Sequence, residues 1–193
     1  MKKNIIVLVL LIISCVLFGC ATKFSKSYKN PNKFEKQNIH EINGEYNIYA
    51  IDSTNNNPKD ELSNAFNKFY RGFGRSNTDT LKLNKLDEYS LKLEVKNENK
   101  IEIKYFKNKI ALKNLNFVYE LKPDGYIYIE DKNFKFSGIP YLFGGIDIKK
   151  IRLSVDNYEN LIIEEVYHSS GALLLIFGDS KTWNYRNYYK RIK

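Results

Sequence analysis

Side chains able to do chemistry are few in this chain. There are two histidines, His40 and His168, and two cysteines, Cys15 and Cys20, both close to the N-terminus. A zinc-type site needs three or four converging His, Cys or carboxylate ligands, so this inventory predicts no metal and no cofactor. Ser169 and Ser170 follow His168, but an activated serine needs a base and an orienting carboxylate converging from separate segments. His168-Ser169-Ser170-Gly171 reads instead as a turn at a strand end. Glu164 and Glu165 are neighbours in a stretch that reads as strand, where successive side chains point to opposite faces. They therefore cannot act as a paired acid and base. On these grounds the chain is not expected to be an enzyme.

Cys20 is different, because of what precedes it. Lys2 and Lys3 are followed by a mainly apolar, uncharged run from Ile5 to Phe18 and then Gly19, the pattern of a secretory signal. The run falls short of the roughly 18 to 20 residues that cross a hydrocarbon core, which argues against a transmembrane anchor. The segment Leu17-Phe18-Gly19-Cys20 resembles the lipobox of bacterial lipoproteins. A second candidate, Ile12-Ile13-Ser14-Cys15, would leave Val16-Leu17-Phe18 exposed after cleavage, so Cys20 is the expected lipidation site. The resemblance implies a signal peptide over residues 1–19 and a palmitate-type anchor at Cys20. Two or more acyl chains, at about 0.8 kcal/mol per buried CH₂, hold a protein stably at a bilayer. Ala21 and Thr22 lack the aspartate associated with inner-membrane retention, and residues 21–25 lack an acidic export cluster. The resemblance thus implies the cell envelope, at the periplasm-facing leaflet of the outer membrane.

The full chain carries a formal charge of +9, to which Lys2 and Lys3 contribute. A basic balance fits an anionic partner, and outside the cytoplasm nucleic acid is not expected to be that partner. Abundant Lys, Asn, Ile and Tyr together also fit biased codon usage alone. With no cysteine after Cys20 an internal disulfide is impossible, and stability must come from packing. The 12 Phe, 15 Tyr and single Trp supply the bulk for it.

Residues 20–41 carry Lys23, Lys26, Lys29, Lys33 and Lys36 and show no apolar period, which reads as a flexible basic tether attracted to anionic headgroups. Extended, it would reach on the order of 70 Å. One folded domain is expected over residues 42–193. A first strand at Gly44–Ile51 is followed by a helix whose face is Leu62, Phe66, Phe69 and Tyr70, with Asn57 as cap, Pro58 in the first turn and Gly72 after the end.

From Thr80 onward short alternating segments follow one another. Leu91-Leu93-Val95 and Ile101-Ile103-Tyr105 flank Asn97-Glu98-Asn99-Lys100 as a hairpin. Further strands are expected at Lys109–Leu112, Asn116–Leu121, Tyr126–Glu130, Phe134–Ser137, Ile146–Val155, Leu161–His168 and Ala172–Phe177. Connections this short require antiparallel neighbours. The fold class is therefore mainly β: an up-and-down meander of about eight to ten strands forming a barrel or curled half-barrel, with one short helix after the first strand. Gly44-Glu45-Tyr46 is similar to the Gly-x-Trp that opens lipocalins, which would imply a cup for a ligand. The signal, Asn43–Tyr46, the early helix and the Lys-rich meander together resemble envelope lipoproteins of the Bacteroidetes kind, a likeness that implies no activity.

Two stretches stand out as binding candidates. Phe136–Ile146 is free of charge and rich in Gly and Pro, so it reads as a loop in which Tyr141, Leu142 and Phe143 form either a lip or membrane-dipping tip, or an inward plug. The C-terminal Trp183–Lys193 interleaves aromatics with cations. Trp183, Tyr185 and Arg186 could meet headgroups or sugars, or belong to a closing strand with Trp183, Tyr185, Asn187 and Tyr189 on one face and Arg186 and Lys190 turned to solvent. The expected function is a membrane-anchored, non-enzymatic structural, assembly or protein-interaction module; the alternative is a lipocalin-like cup for a hydrophobic or amphipathic ligand.

Overall fold

The computed structural model describes residues 22–53, 64–70, 83–84, 86–130, 134–139, 143–173 and 177–193; at 52, 53, 70, 134–139, 143, 172, 173, 177 and 178 the backbone alone is described. Nine strands form one antiparallel sheet. They are β1 (Gly44–Ser53), β2 (Tyr89–Asn97), β3 (Lys100–Lys107), β4 (Ile110–Leu121), β5 (Ile127–Glu130), β6 (Phe134–Ile139), β7 (Phe143–Val155), β8 (Leu161–Leu173) and β9 (Phe177–Arg191). β9 pairs with β1 and β5 pairs with β7, so every strand except β6 has neighbours on both edges, β7 having three in all, and the sheet is ring-like. Closure satisfies backbone groups that an open sheet would leave at its edges.

The hairpin expected around Asn97–Lys100 is β2–β3, paired Leu91↔Tyr105, Leu93↔Ile103 and Val95↔Ile101. Other expectations need correction. Lys109–Leu112 and Asn116–Leu121 are one strand, β4, whose register against β3 slips between Tyr105 and Phe106; the extra residue is absorbed as a bulge rather than a turn. The order is not a simple meander, because β5 and β6 follow one another along the same edge of β7. The charge-free stretch is mostly not loop: Phe136↔Ile146, Gly138↔Gly144 and Ile139↔Phe143 pair across β6 and β7. Glycine was a poor guide there, since the ladder uses only backbone groups. Ala172–Phe177 is not a separate strand; β8 ends and β9 begins within it, paired Leu173↔Phe177. His168–Gly171 is likewise interior to β8, with partners on both β7 and β9.

The interior is packed. Tyr46, Ile48, Leu91, Leu93, Ile101, Ile103, Tyr105, Ile127, Ile151, Leu153, Leu161, Ile163 and Tyr189 join one buried cluster. The short helix α1 (Ala65–Tyr70) contributes Ala65, Phe66 and Phe69 to the same cluster. Phe66 meets Tyr105 of β3 edge-on at 4.9 Å, and Phe69 lies 5.9 Å from Phe117 of β4. The Asn64 side-chain oxygen accepts the Asn67 amide at 2.8 Å, a capping contact at the helix start. The expected cap Asn57, together with Pro58, Leu62 and Gly72, lies outside the described residues.

The stretch expected to be a tether is packed on the sheet. Ile39–Ile42 is a 3-10 turn with Ile39 and Ile42 buried, and Phe34 is only 3% exposed. Upstream, the Phe34 amide donates to the Gly125 carbonyl, Asn32 bridges to Val155, and Ser25 and Thr22 also bond the sheet. Residues 22–34 thus form a strap across the outer face of β5, β7, β8 and β9. A handful of apolar anchors spaced along an irregular segment has no period to detect, which is why this read as linker.

Candidate functional site

Strand β8 positions two ionic clusters, one on each side of the sheet. Pairing puts Arg152 opposite Glu164 and Ile151 opposite Glu165, so even-numbered β8 residues face outward under the strap and odd-numbered ones face inward. Outside, Arg152 grips Glu164 through Nε at 2.8 Å and Nη2 at 2.6 Å, and Arg186 Nε lies 3.4 Å from the other carboxylate oxygen. The Tyr126 hydroxyl donates to Glu164 at 2.9 Å. Burial, and then the adjacent carboxylate, push the Tyr126 phenol well up. The strap roofs this cluster: Phe24 stacks on the Arg152 guanidinium at 4.4 Å, Tyr28 lies 5.4 Å from that of Arg186, and Arg186 donates to the Lys29 carbonyl at 2.9 Å. Ile162 and Val166 are buried beneath the same cover.

Inside, Glu165 binds Lys68 of α1 and Lys149 of β7, each at 3.0 Å. Burial would raise the Glu165 carboxyl, but the two ammonium groups win and hold it below the usual range. Burial lowers Lys149, against the pull of Glu165. Lys68 also sits 4.8 Å above the Tyr185 ring. This cluster ties helix to sheet.

The C-terminal candidates divide between these environments. Register places Trp183 opposite Tyr167, Tyr185 opposite Glu165, Asn187 opposite Ile163 and Tyr189 opposite Leu161, so all four share the inward face of β9. Trp183 stacks on Tyr167 at 5.4 Å with Lys181 5.2 Å above its ring. Arg186 is not turned to solvent; it is 8% exposed, locked between Glu164 and the strap. An isolated strand pattern cannot show that a distant segment covers its polar face. Of the other candidates, Phe143 opens β7, whereas Tyr141, Leu142 and Cys20 lie outside the described residues.

Catalytic geometry is not assembled at the residues weighed for it. A His168 ring nitrogen meets the Thr182 hydroxyl at 2.8 Å, and Ser170 lies against the Ile146 carbonyl. Among the described residues no three His, Cys, Asp or Glu side chains gather to hold a metal, and no helix is long and apolar enough to cross a membrane. Among the described residues, grooves of about 740 and 520 Å³ are lined mainly by outward-facing residues. The smaller runs beside Thr22, Lys23 and Phe24 over Lys122, Tyr128, Lys150 and Arg152. No protein-family model, curated protein or solved structure matches the chain.

Proposed function

We propose that this chain is an envelope lipoprotein, anchored through Cys20 in the periplasm-facing leaflet of an outer membrane, whose domain is a small closed β-barrel acting as a non-enzymatic assembly or interaction module. The observation that supports this reading over a ligand cup is the packing of the interior by the described residues. Tyr46, Tyr105, Tyr189, Phe66 and Phe69, all under 3% exposed, occupy the space that a ligand-holding barrel keeps open. Drug-sized ligands need a concave pocket of roughly 300 Å³ or more that buries most of their surface, and both described grooves lie open on the outside instead. A module of this kind works through its surface.

Two measurements test the two halves of the proposal. Metabolic labelling with a radioactive fatty acid marks the wild-type chain and not Cys20→Ala, which leaves the membrane fraction. Label that persists in Cys20→Ala overturns the assignment and points to Cys15. Titration of the folded protein with anilinonaphthalene sulfonate shows no saturable site; tight one-to-one binding reinstates the cup.

A further inference from the structure

Two stretches far apart in sequence lack charge: Phe136–Ile146, and Ser169–Gly178. The topology brings them together. Beyond Ile151 on β7 and Asn187 on β9 the described ring pairings with β5 and β1 stop, and β6, β7, β8 and β9 continue as a four-stranded extension. Its last row is Ile139↔Phe143↔Leu173↔Phe177, and the next is Gly138↔Gly144↔Ala172↔Gly178. The residues joining these strands, Pro140-Tyr141-Leu142 and Leu174-Leu175-Ile176, are uncharged as well. Asp179 is the first charge, two rows in, and Lys135, Asp147 and Lys181 share a row four steps from the end. At about 3.3 Å per residue that row lies about 13 Å from the last one.

We infer that this extension ends in a membrane-dipping tip, the row of Ile139, Phe143, Leu173 and Phe177 entering the interfacial region of the bilayer that holds the anchor. Apolar surface at a membrane interface sinks about 5 to 10 Å, which matches the depth of uncharged rows. Lys135 and Lys181 then fall near headgroup level, where anionic lipids favour cations. The place where the described strap begins supports the bilayer as occupant. The strap runs from Gly125 and Val155 at one end of the ring to Lys150, whose ammonium binds the Thr22 carbonyl at 3.0 Å. It is heading toward the tip. Cys20 is two residues further, within about 7 Å of Thr22, while Phe143 lies about 23 Å from Lys150 along β7. A lipid at Cys20 therefore holds a bilayer within reach of the tip. This last step rests on the proposed lipidation.

Single-tryptophan fluorescence tests the inference. In the full chain carrying Trp183→Phe, Phe143→Trp and Phe177→Trp are made separately, with Tyr158→Trp, in the turn at the other end of β7, as the control. Each protein is extracted and reconstituted into phosphatidylcholine–phosphatidylglycerol vesicles containing brominated phosphatidylcholine. The tip tryptophans emit at shorter wavelength and are quenched at least about twofold more than the control, as interfacial insertion requires. Quenching no greater than the control overturns the tip. A blue shift without bromine quenching also overturns it, because a protein surface, whether a second copy or a partner, then covers the row. If one substitution prevents folding, the other decides. Fatty-acid label on the same samples reports the anchor separately: labelled but unquenched protein sinks the tip alone, whereas unlabelled protein still quenched by added vesicles upholds the tip and removes the anchor.

Discussion

Glu164 and Glu165, consecutive on β8, bind opposite pairs of cations on opposite sides of the sheet: Glu164 holds Arg152 and Arg186 beneath the strap, and Glu165 holds Lys68 and Lys149 against α1. One peptide unit thus connects the strap outside the sheet to helix α1 inside it. Both carboxylates are nearly inaccessible, at 1% and 7% exposure. In such surroundings an ion pair is only as good as its geometry, and the loss of one partner strands the rest.

Glu164→Ala leaves two guanidinium groups buried without their carboxylate, and stability falls by about 3 to 5 kcal/mol in a urea titration. Replacing the whole triad, Arg152→Met with Glu164→Leu and Arg186→Met, recovers much of that loss, since well-packed apolar side chains often match a buried ion cluster. A triple variant no more stable than Glu164→Ala contradicts this account.

The acid limb of stability has identifiable sources. On the outer face, burial alone would raise the Glu102 carboxyl, but Asn114, Lys96 and Lys104 hold it at about 2 against an ordinary 4.5. Glu165 moves in the same direction. A carboxyl with a depressed folded pKa adds stability that is complete above its unfolded value and lost as pH falls through the folded one. The protein therefore weakens from about pH 4.5 down toward pH 2. Glu102→Gln shows a shallower loss over that window, measured by thermal melts at each pH.

The strap is part of the domain's stability. Phe34→Ala empties a buried site and costs about 3 to 5 kcal/mol, as for other buried phenylalanines. Gly125 lies under the strap at φ +76°, where an added Cβ would stand 2.6 Å from the Lys33 Cβ and 2.7 Å from its Cα. Gly125→Ala is accordingly destabilising by about 1 to 3 kcal/mol, from backbone strain compounded by that clash. Melting temperatures unchanged in both variants would mean the segment is a tether after all.

Tyr105 is buried in the ring with its hydroxyl lacking a hydrogen-bond partner among the described residues, and burial drives its phenol well up. An unsatisfied buried hydroxyl costs about 1 to 3 kcal/mol. Tyr105→Phe removes the hydroxyl while keeping the ring against Phe66, and raises the denaturation midpoint. A lowered midpoint would show that the hydroxyl is bonded in solution.

Local alternation decided much of this protein. Period two in Leu91-Leu93-Val95 and Ile101-Ile103-Tyr105 set which side chains face the core, and the same rule separated Glu164 from Glu165 and aligned Trp183, Tyr185, Asn187 and Tyr189. A strand's inward and outward faces are a property of its own backbone. Tertiary structure alone decided what lies over each face. Burial of Arg186 depends on Tyr28 and Lys29, and the ring on Ile127↔Leu153 across an intervening strand. The strap depends on single anchors such as Phe34 finding Gly125. Phe143 and Phe177 are separated along the chain yet share a row with Leu173 because β7, β8 and β9 happen to pair in that register. Such contacts are set by loop closure and by complementary packing between distant segments, and no short window of sequence contains both partners.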